Sequence, residues 1–141
     1  MFFDFSIHSS DPFNIVTQQP IIAIVLFGHG SRDPLWHLPI QAVAQRIRKT
    51  SPNQMVACAY LELTQPSLPD LASELIASGA NNIRILPMFL GVGRHAREDL
   101  PVLIDALRVG YPQVQFDVLS AVGENEAVLD LMASIALTDA S

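Results

Sequence analysis

Four apolar runs of strand length alternate along the chain with four stretches whose apolar residues recur every three or four positions. The first run, Ile21 to Phe27, is apolar without interruption, which reads as a strand buried on both faces. After it Pro34 and Pro39 bracket a helix start, and Ile40, Val43, Ala44 and Ile47 then form one stripe that closes near Ser51-Pro52. A second buried strand, Met55 to Leu61, delivers Glu62 at its carboxyl end.

Thr64-Gln65-Pro66 then turns the chain, and Ser67 with Asp70 predicts a capping box for a helix carrying Leu68, Leu71, Ala72, Leu75 and Ile76, with Gly79 as its stop. Ile83 to Leu86 begins a third strand, which runs through Met88 to Gly93 into a loop ending at Arg94-His95. The following helix holds Leu100, Leu103, Ile104 and Leu107, and it accommodates Pro101 on the expectation that this residue lies in its first turn. Val114 to Val118 alternates apolar and polar residues, as an edge strand wetted on one side would. A last helix starts near Glu124, with Val128, Leu131, Met132 and Ile135 expected inward.

Strand and helix thus alternate four times over short connections, which predicts an α/β, flavodoxin-like fold: a four-stranded parallel sheet with helices on both faces, in a single copy. Residues 20–141 are assigned to this domain. Residues 1–19 are read as an N-terminal extension, poorly ordered, without the basic start of a secretory signal.

Composition narrows the picture. Half the residues are hydrophobic and 16% are charged, so the chain can build a core. A net charge of -6 disfavours a nucleic-acid surface, and no apolar run reaches the roughly 20 residues needed to span a bilayer. Cys58 alone excludes an internal disulfide and a cysteine-rich metal cluster, and fits a cytoplasmic protein.

In parallel sheets of this kind ligands bind beyond the carboxyl ends of the strands. His29, Glu62 and His95 each follow such an end, so three loops place a ligating or titrating group on one rim. Each has a plainer reading. His29 could be a loop histidine satisfied by backbone, Glu62 a solvated carboxylate or helix cap, and His95 the start of a charged helical turn. Gly28 and Gly30 around His29 leave room for a ligand near the backbone, and Arg94 and Arg97 make a carboxylate-binding patch. Together two imidazoles and a carboxylate suit a borderline divalent metal and can also accept protons. His8 and His37 are read as surface residues. Trp36 could wall an aromatic ligand, with packing as its plainer role. Gly91 to Ala96 fits the G-x-G-x-x-A dinucleotide pattern, but it follows the third strand and lacks the acidic residue about 20 positions on, so no nucleotide is expected.

Three segments, Phe27-Gly28-His29-Gly30-Ser31-Arg32-Asp33-Pro34, Tyr60 to Leu68 and Pro87 to Pro101, together resemble the small CbiX-type sirohydrochlorin chelatases, over roughly residues 21 to 131. The resemblance implies ATP-independent insertion of a divalent metal, Co2+ first with Fe2+ or Ni2+ as alternatives, into sirohydrochlorin on the cobalamin or siroheme branches. It places metal-site and proton-accepting roles on His29 and His95, with Glu62 as their acidic partner. Arg32, Arg94 and Arg97 would grip the macrocycle's carboxylates, with Gly28, Gly30 and Ser31 beside it. One copy per chain implies a homodimer with the tetrapyrrole between subunits. Asn125 stands where a histidine is expected in many relatives, a departure that argues against a ligand role for the last loop and leaves His29 and His95 untouched. The alternatives are a metal or tetrapyrrole carrier of the same fold, and a histidine phosphatase; the latter needs an Arg before its His, where this chain has Gly28.

Overall fold

The computed structural model describes residues 19–140. The elements run β1 (Ile22–Gly28), a 3-10 turn (Pro34–His37), α1 (Leu38–Thr50), β2 (Met55–Tyr60), α2 (Leu68–Ala77), β3 (Asn82–Pro87), α3 (Arg94–Gly110), β4 (Gln115–Val118), a second 3-10 turn (Val122–Glu124) and α4 (Glu126–Ala136). All strand pairs are parallel, in the order β2-β1-β3-β4. The predicted sheet is therefore the observed one, with the alternating strand β4 at an edge. The reading of residues 1–19 as an extension falls almost wholly outside the described residues.

The continuous apolar run of β1 makes it a central strand, because both its faces must be covered. On one face Val25 and Phe27 meet Ile83, Ile85 and Phe116 beneath α2 and α3; on the other Leu26 packs with Val56, Tyr60 and α1 residues Ile40 and Ala44. Phe27, Leu26, Leu68, Ile83, Ile85 and Val25 are fully buried, each contributing roughly 1.5 to 3 kcal/mol of transfer free energy. From β1 in the middle of the sheet the chain steps first to β2, then back across to β3. The strand order consequently reverses between β1 and β3, and their carboxyl ends flank the crevice where such sheets take ligands. Among the described residues no helix is long and apolar enough to cross a membrane.

Two expectations about helices are corrected. First, α3 begins at Arg94, so Pro101 sits inside it rather than in its first turn. The start is early because Gly93 adopts an extended N-cap conformation and its carbonyl accepts the Arg97 amide at 3.1 Å. Burial of Ala96, Ile104 and Leu107 on either side of Pro101 offsets the backbone hydrogen bond that proline cannot donate.

Second, the stripe of α4 is not inward. No residue of α4 is buried; Leu131 is 61% exposed, Met132 40% and Ile135 64%. Asn125 starts the helix, its side-chain oxygen accepting the Ala127 amide at 3.0 Å and the Val128 amide at 3.3 Å. The preceding turn is held against the β3 loop, where the Gly123 amide donates to the Phe89 carbonyl at 3.0 Å. From that anchor α4 packs substantially only against the turn itself. Periodicity identifies the apolar side of a helix but not what covers it.

Candidate functional site at the carboxyl rim

The β1 and β2 loops are joined beyond the strand ends. The Leu61 amide donates to the Gly28 carbonyl at 2.9 Å and the Glu62 amide to the His29 carbonyl at 3.0 Å. Backbone hydrogen bonding thus continues past the last paired residues, Gly28 and Tyr60, which sets the backbones of His29 and Glu62 side by side with both side chains exposed. Gly30 allows this approach in two ways. Its φ of +89° is open to glycine, and a Cβ would collide with the Glu62 carbonyl oxygen. The space left by glycine here is filled by the protein itself, and at Gly28 a Cβ would press on Ile40 and Tyr60.

Ser31 is likewise engaged internally. Its hydroxyl accepts the Asp33 amide at 3.0 Å, and Asp33 in turn caps the 3-10 turn by accepting the Leu35 amide at 3.0 Å. Arg32 is exposed at this corner.

The His29 ring lies on Phe89, centroids 4.2 Å apart, and Phe89 also meets Phe27 edge-on at 5.8 Å. A cavity of about 220 Å³ opens beside His29, walled by Trp36, Ile40, Tyr60 and Met88. Trp36 is 75% exposed and forms its outer wall. On the other side of Phe89 a larger, mostly apolar groove of about 360 Å³ runs under α3, lined by Val92, Ala96, Leu100 and Ala121, with Arg97 at its lip.

His95 stands in the first turn of α3, exposed, and its Nε2 lies 2.6 Å from an Asp99 carboxylate oxygen one turn on. A carboxylate placed against one ring nitrogen in this way fixes the orientation of the imidazole and leaves Nδ1 on its outer side. Arg94 is paired with Glu98 at 2.8 Å. Three strand ends therefore carry His29, Glu62 and His95 to one rim. Among the described residues, however, no three His, Cys, Asp or Glu side chains are gathered closely enough to share one ion.

Reading the sequence missed Thr64, His37, Phe89 and Asp99. His37 was expected at the surface, yet it is only 9% exposed, its ring tilted against that of Tyr60 with centroids 4.7 Å apart and within 3.2 Å of the Thr64 hydroxyl. Its burial comes from the 3-10 turn, which points it inward under α1. Asp99 is four residues from His95 and would have been legible had the helix start been placed at Arg94. Nearby, burial raises the Cys58 thiol pKa above its ordinary value against the pull of Arg48. Burial, then the neighbouring Cys58, raises that of Tyr60 despite a hydrogen bond from Gln41.

Fold and rim together define a small doubly wound α/β domain whose strand order reverses beneath the rim that carries His29, Glu62 and His95. Residues 23–137 match the CbiX family, and the chain belongs to that family. It is 35% identical over 82 residues to a sirohydrochlorin cobaltochelatase of Methanococcus aeolicus, an alignment covering 58% of this chain and 57% of that one. The match thus spans little more than half the length of that relative. Among solved structures, a protein of Marinobacter aquaeolei VT8 assigned to CbiX and cobalamin biosynthesis superposes with a TM-score of 0.71 at 28% identity, over 82% of this chain and 93% of that chain. The sirohydrochlorin chelatase SirB of Bacillus subtilis subspecies spizizenii, solved in complex with cobalt, gives a TM-score of 0.65 at 26% identity, over 82% of this chain and 51% of that one.

Proposed function

We propose that this chain inserts a divalent metal, Co2+ in the first place, into sirohydrochlorin without ATP. The single observation that carries the reading is the position of His29, Glu62 and His95 in the segments that follow the carboxyl ends of three adjacent parallel strands, in a chain of the CbiX family. A cobaltochelatase among its relatives, and a relative solved with cobalt, support the choice of metal. Fe2+ and Ni2+ have similar preferences for imidazole, so they are the competitors to include in every assay.

In this reading the metal is a substrate. It must shed water, meet the macrocycle and displace two pyrrole N–H protons. His29 and His95 hold the ion through neutral imidazole, weakly enough to release it, and Glu62 or one of the histidines accepts the protons. Sirohydrochlorin carries eight carboxylates; Arg32, Arg97 and, once released from Glu98, Arg94 are the guanidinium groups available to pair with them. The positive end of α3 adds to this attraction. The cavity walled by Trp36 gives a flat ring an aromatic surface next to His29.

His29 and His95 come into reach of one ion when a second copy closes the rim, so the working form is proposed to be a homodimer. The uncovered stripe of α4 supports this, as does SirB, half of whose length this chain covers. The reaction is assigned to the cytosol, where the lone Cys58 stays reduced.

The test is to mix the purified protein with sirohydrochlorin and Co2+, Fe2+ or Ni2+ and follow the tetrapyrrole absorption. Catalysis predicts many turnovers per chain, faster than the uncatalysed reaction. Binding that saturates at one ligand per site without turnover identifies a carrier instead. His29→Ala and His95→Ala should each lower the rate by about a hundredfold or more while the fold persists. Full activity in both variants would remove these residues from the site.

A further inference from the structure

We propose that Thr64 is a positioning residue that sets the placement of His29 relative to Glu62, with His37 as the third arm of the same hydrogen-bonded latch; the assignment rests on the proposed metal-insertion reading. The Thr64 hydroxyl is shared among three partners. It donates to the Ser31 carbonyl at 2.8 Å, accepts the Ser31 amide at 3.1 Å and lies 3.2 Å from His37 Nε2. A hydroxyl has one proton and two lone pairs. With its proton given to Ser31, both lone pairs serve as acceptors, so His37 carries its proton on Nε2. The Thr64 oxygen is then fully satisfied, and no other rotamer of the hydroxyl keeps all three bonds.

This latch closes the region containing both proposed ligands. Ser31 lies two residues after His29, and Thr64 two residues after Glu62. Between them the Glu62 amide is bonded to the His29 carbonyl. Each proposed ligand is therefore held by backbone pairing at itself and by the Thr64 hydroxyl just beyond it. The conformation has a local cost, since Leu63 takes a φ of +62°, in the left-handed region that side chains disfavour by roughly 1 to 2 kcal/mol. Leu63 gains little in return, being 58% exposed. The bonds of Glu62 on one side and Thr64 on the other hold it there. His37 extends the latch into the core through its contact with Tyr60, so the loop pair is referenced to β2 and α1 rather than only to itself.

Thr64 touches neither metal nor tetrapyrrole in this assignment but sets the groups that hold the metal, so its removal should impair metal binding and the chemical step more than capture of the tetrapyrrole. Thr64→Val keeps the shape and loses the hydroxyl; Thr64→Ser keeps the hydroxyl and loses the methyl. Both are compared with wild type for kcat and KM in Co2+ insertion, for Co2+ affinity by calorimetry without tetrapyrrole, and for Ser31 amide exchange by NMR. Thr64→Val is expected to lower kcat and Co2+ affinity by about 10- to 100-fold, leave KM for the tetrapyrrole within about twofold, and speed Ser31 exchange. Thr64→Ser should restore all of these to within about threefold. The proposal is overturned if Thr64→Val retains wild-type kcat and Co2+ affinity, or if Thr64→Ser is as impaired as Thr64→Val, which would make the methyl packing the cause. Should Thr64→Val fail to fold, Thr64→Cys, with its weaker hydrogen bonds, is measured against the same criteria. If wild type inserts no metal, the functional reading fails, and the Co2+ titration still decides the latch.

Discussion

The two halves of the carboxyl rim are built to different standards of rigidity. On the β1/β2 side His29 and Glu62 sit on loops joined by continued strand pairing, a left-handed glycine and the Thr64 hydroxyl. On the β3/β4 side His95 rests in an exposed helical turn tied only to Asp99, the glycines of its loop face open space, and the helix after β4 lies unburied. The contrast separates two tasks. The fixed side can define a geometry, whereas the open side is free to close over a ligand or against a second chain.

The largest expected difference lies between the glycines of the His29 loop and those of the loop before His95; Gly123, packed against the Leu90 backbone, is the tight glycine of the second half. Gly30→Ala combines a positive φ with a collision against the Glu62 carbonyl and should destabilise the protein by about 2 kcal/mol or more, read from urea unfolding. Gly91→Ala meets nothing and should stay within about 0.5 kcal/mol. Equal effects at the two positions would erase the distinction between a fixed and an open side.

Within the open side, Pro101→Ala restores an amide donor in the middle of α3 and places the best helix former on its exposed face. It should stabilise the chain by about 1 kcal/mol in the same experiment. Destabilisation instead would mean that the helix depends on the proline ring. Smaller still is the effect expected on α4. With the chain dilute enough to be monomeric, Leu131→Asp combined with Ile135→Asp should change the unfolding free energy by less than about 0.5 kcal/mol, because both side chains are already in water. A loss above about 1 kcal/mol would show the stripe buried against its own sheet. Least affected of all is Cys58. Because burial raises its pKa, little thiolate is present near neutral pH, so alkylation of the native protein should be slow, and faster as the pH rises. Rapid labelling at neutral pH would place the β2 face in solvent.

Most of the scaffold was legible in the order of residues. Continuous apolar runs marked the buried strands, alternation marked β4 as an edge, and Ser67 with Asp70 announced the start of α2, where the Asp70 amide does donate to the Ser67 hydroxyl at 3.3 Å. These signals are local, since burial on one or two faces leaves a period of two, or none, and a helix leaves a period near 3.6. The rim positions of His29, Glu62 and His95 followed from the same alternation, because a parallel sheet sends all its strands the same way.

What the tertiary structure alone decided are the relations between segments far apart in sequence. Thr64 and His37 are 27 residues apart, and no periodicity links them; only the pairing of β1 with β2 brings the hydroxyl to both Ser31 and the ring. Gly30 looked like room for a ligand until Glu62 occupied it. The stripe of α4 was read correctly as a stripe and wrongly as inward. A sequence records the preference of each residue for water or for the core, but which surface satisfies that preference depends on where the rest of the chain, or another chain, comes to lie.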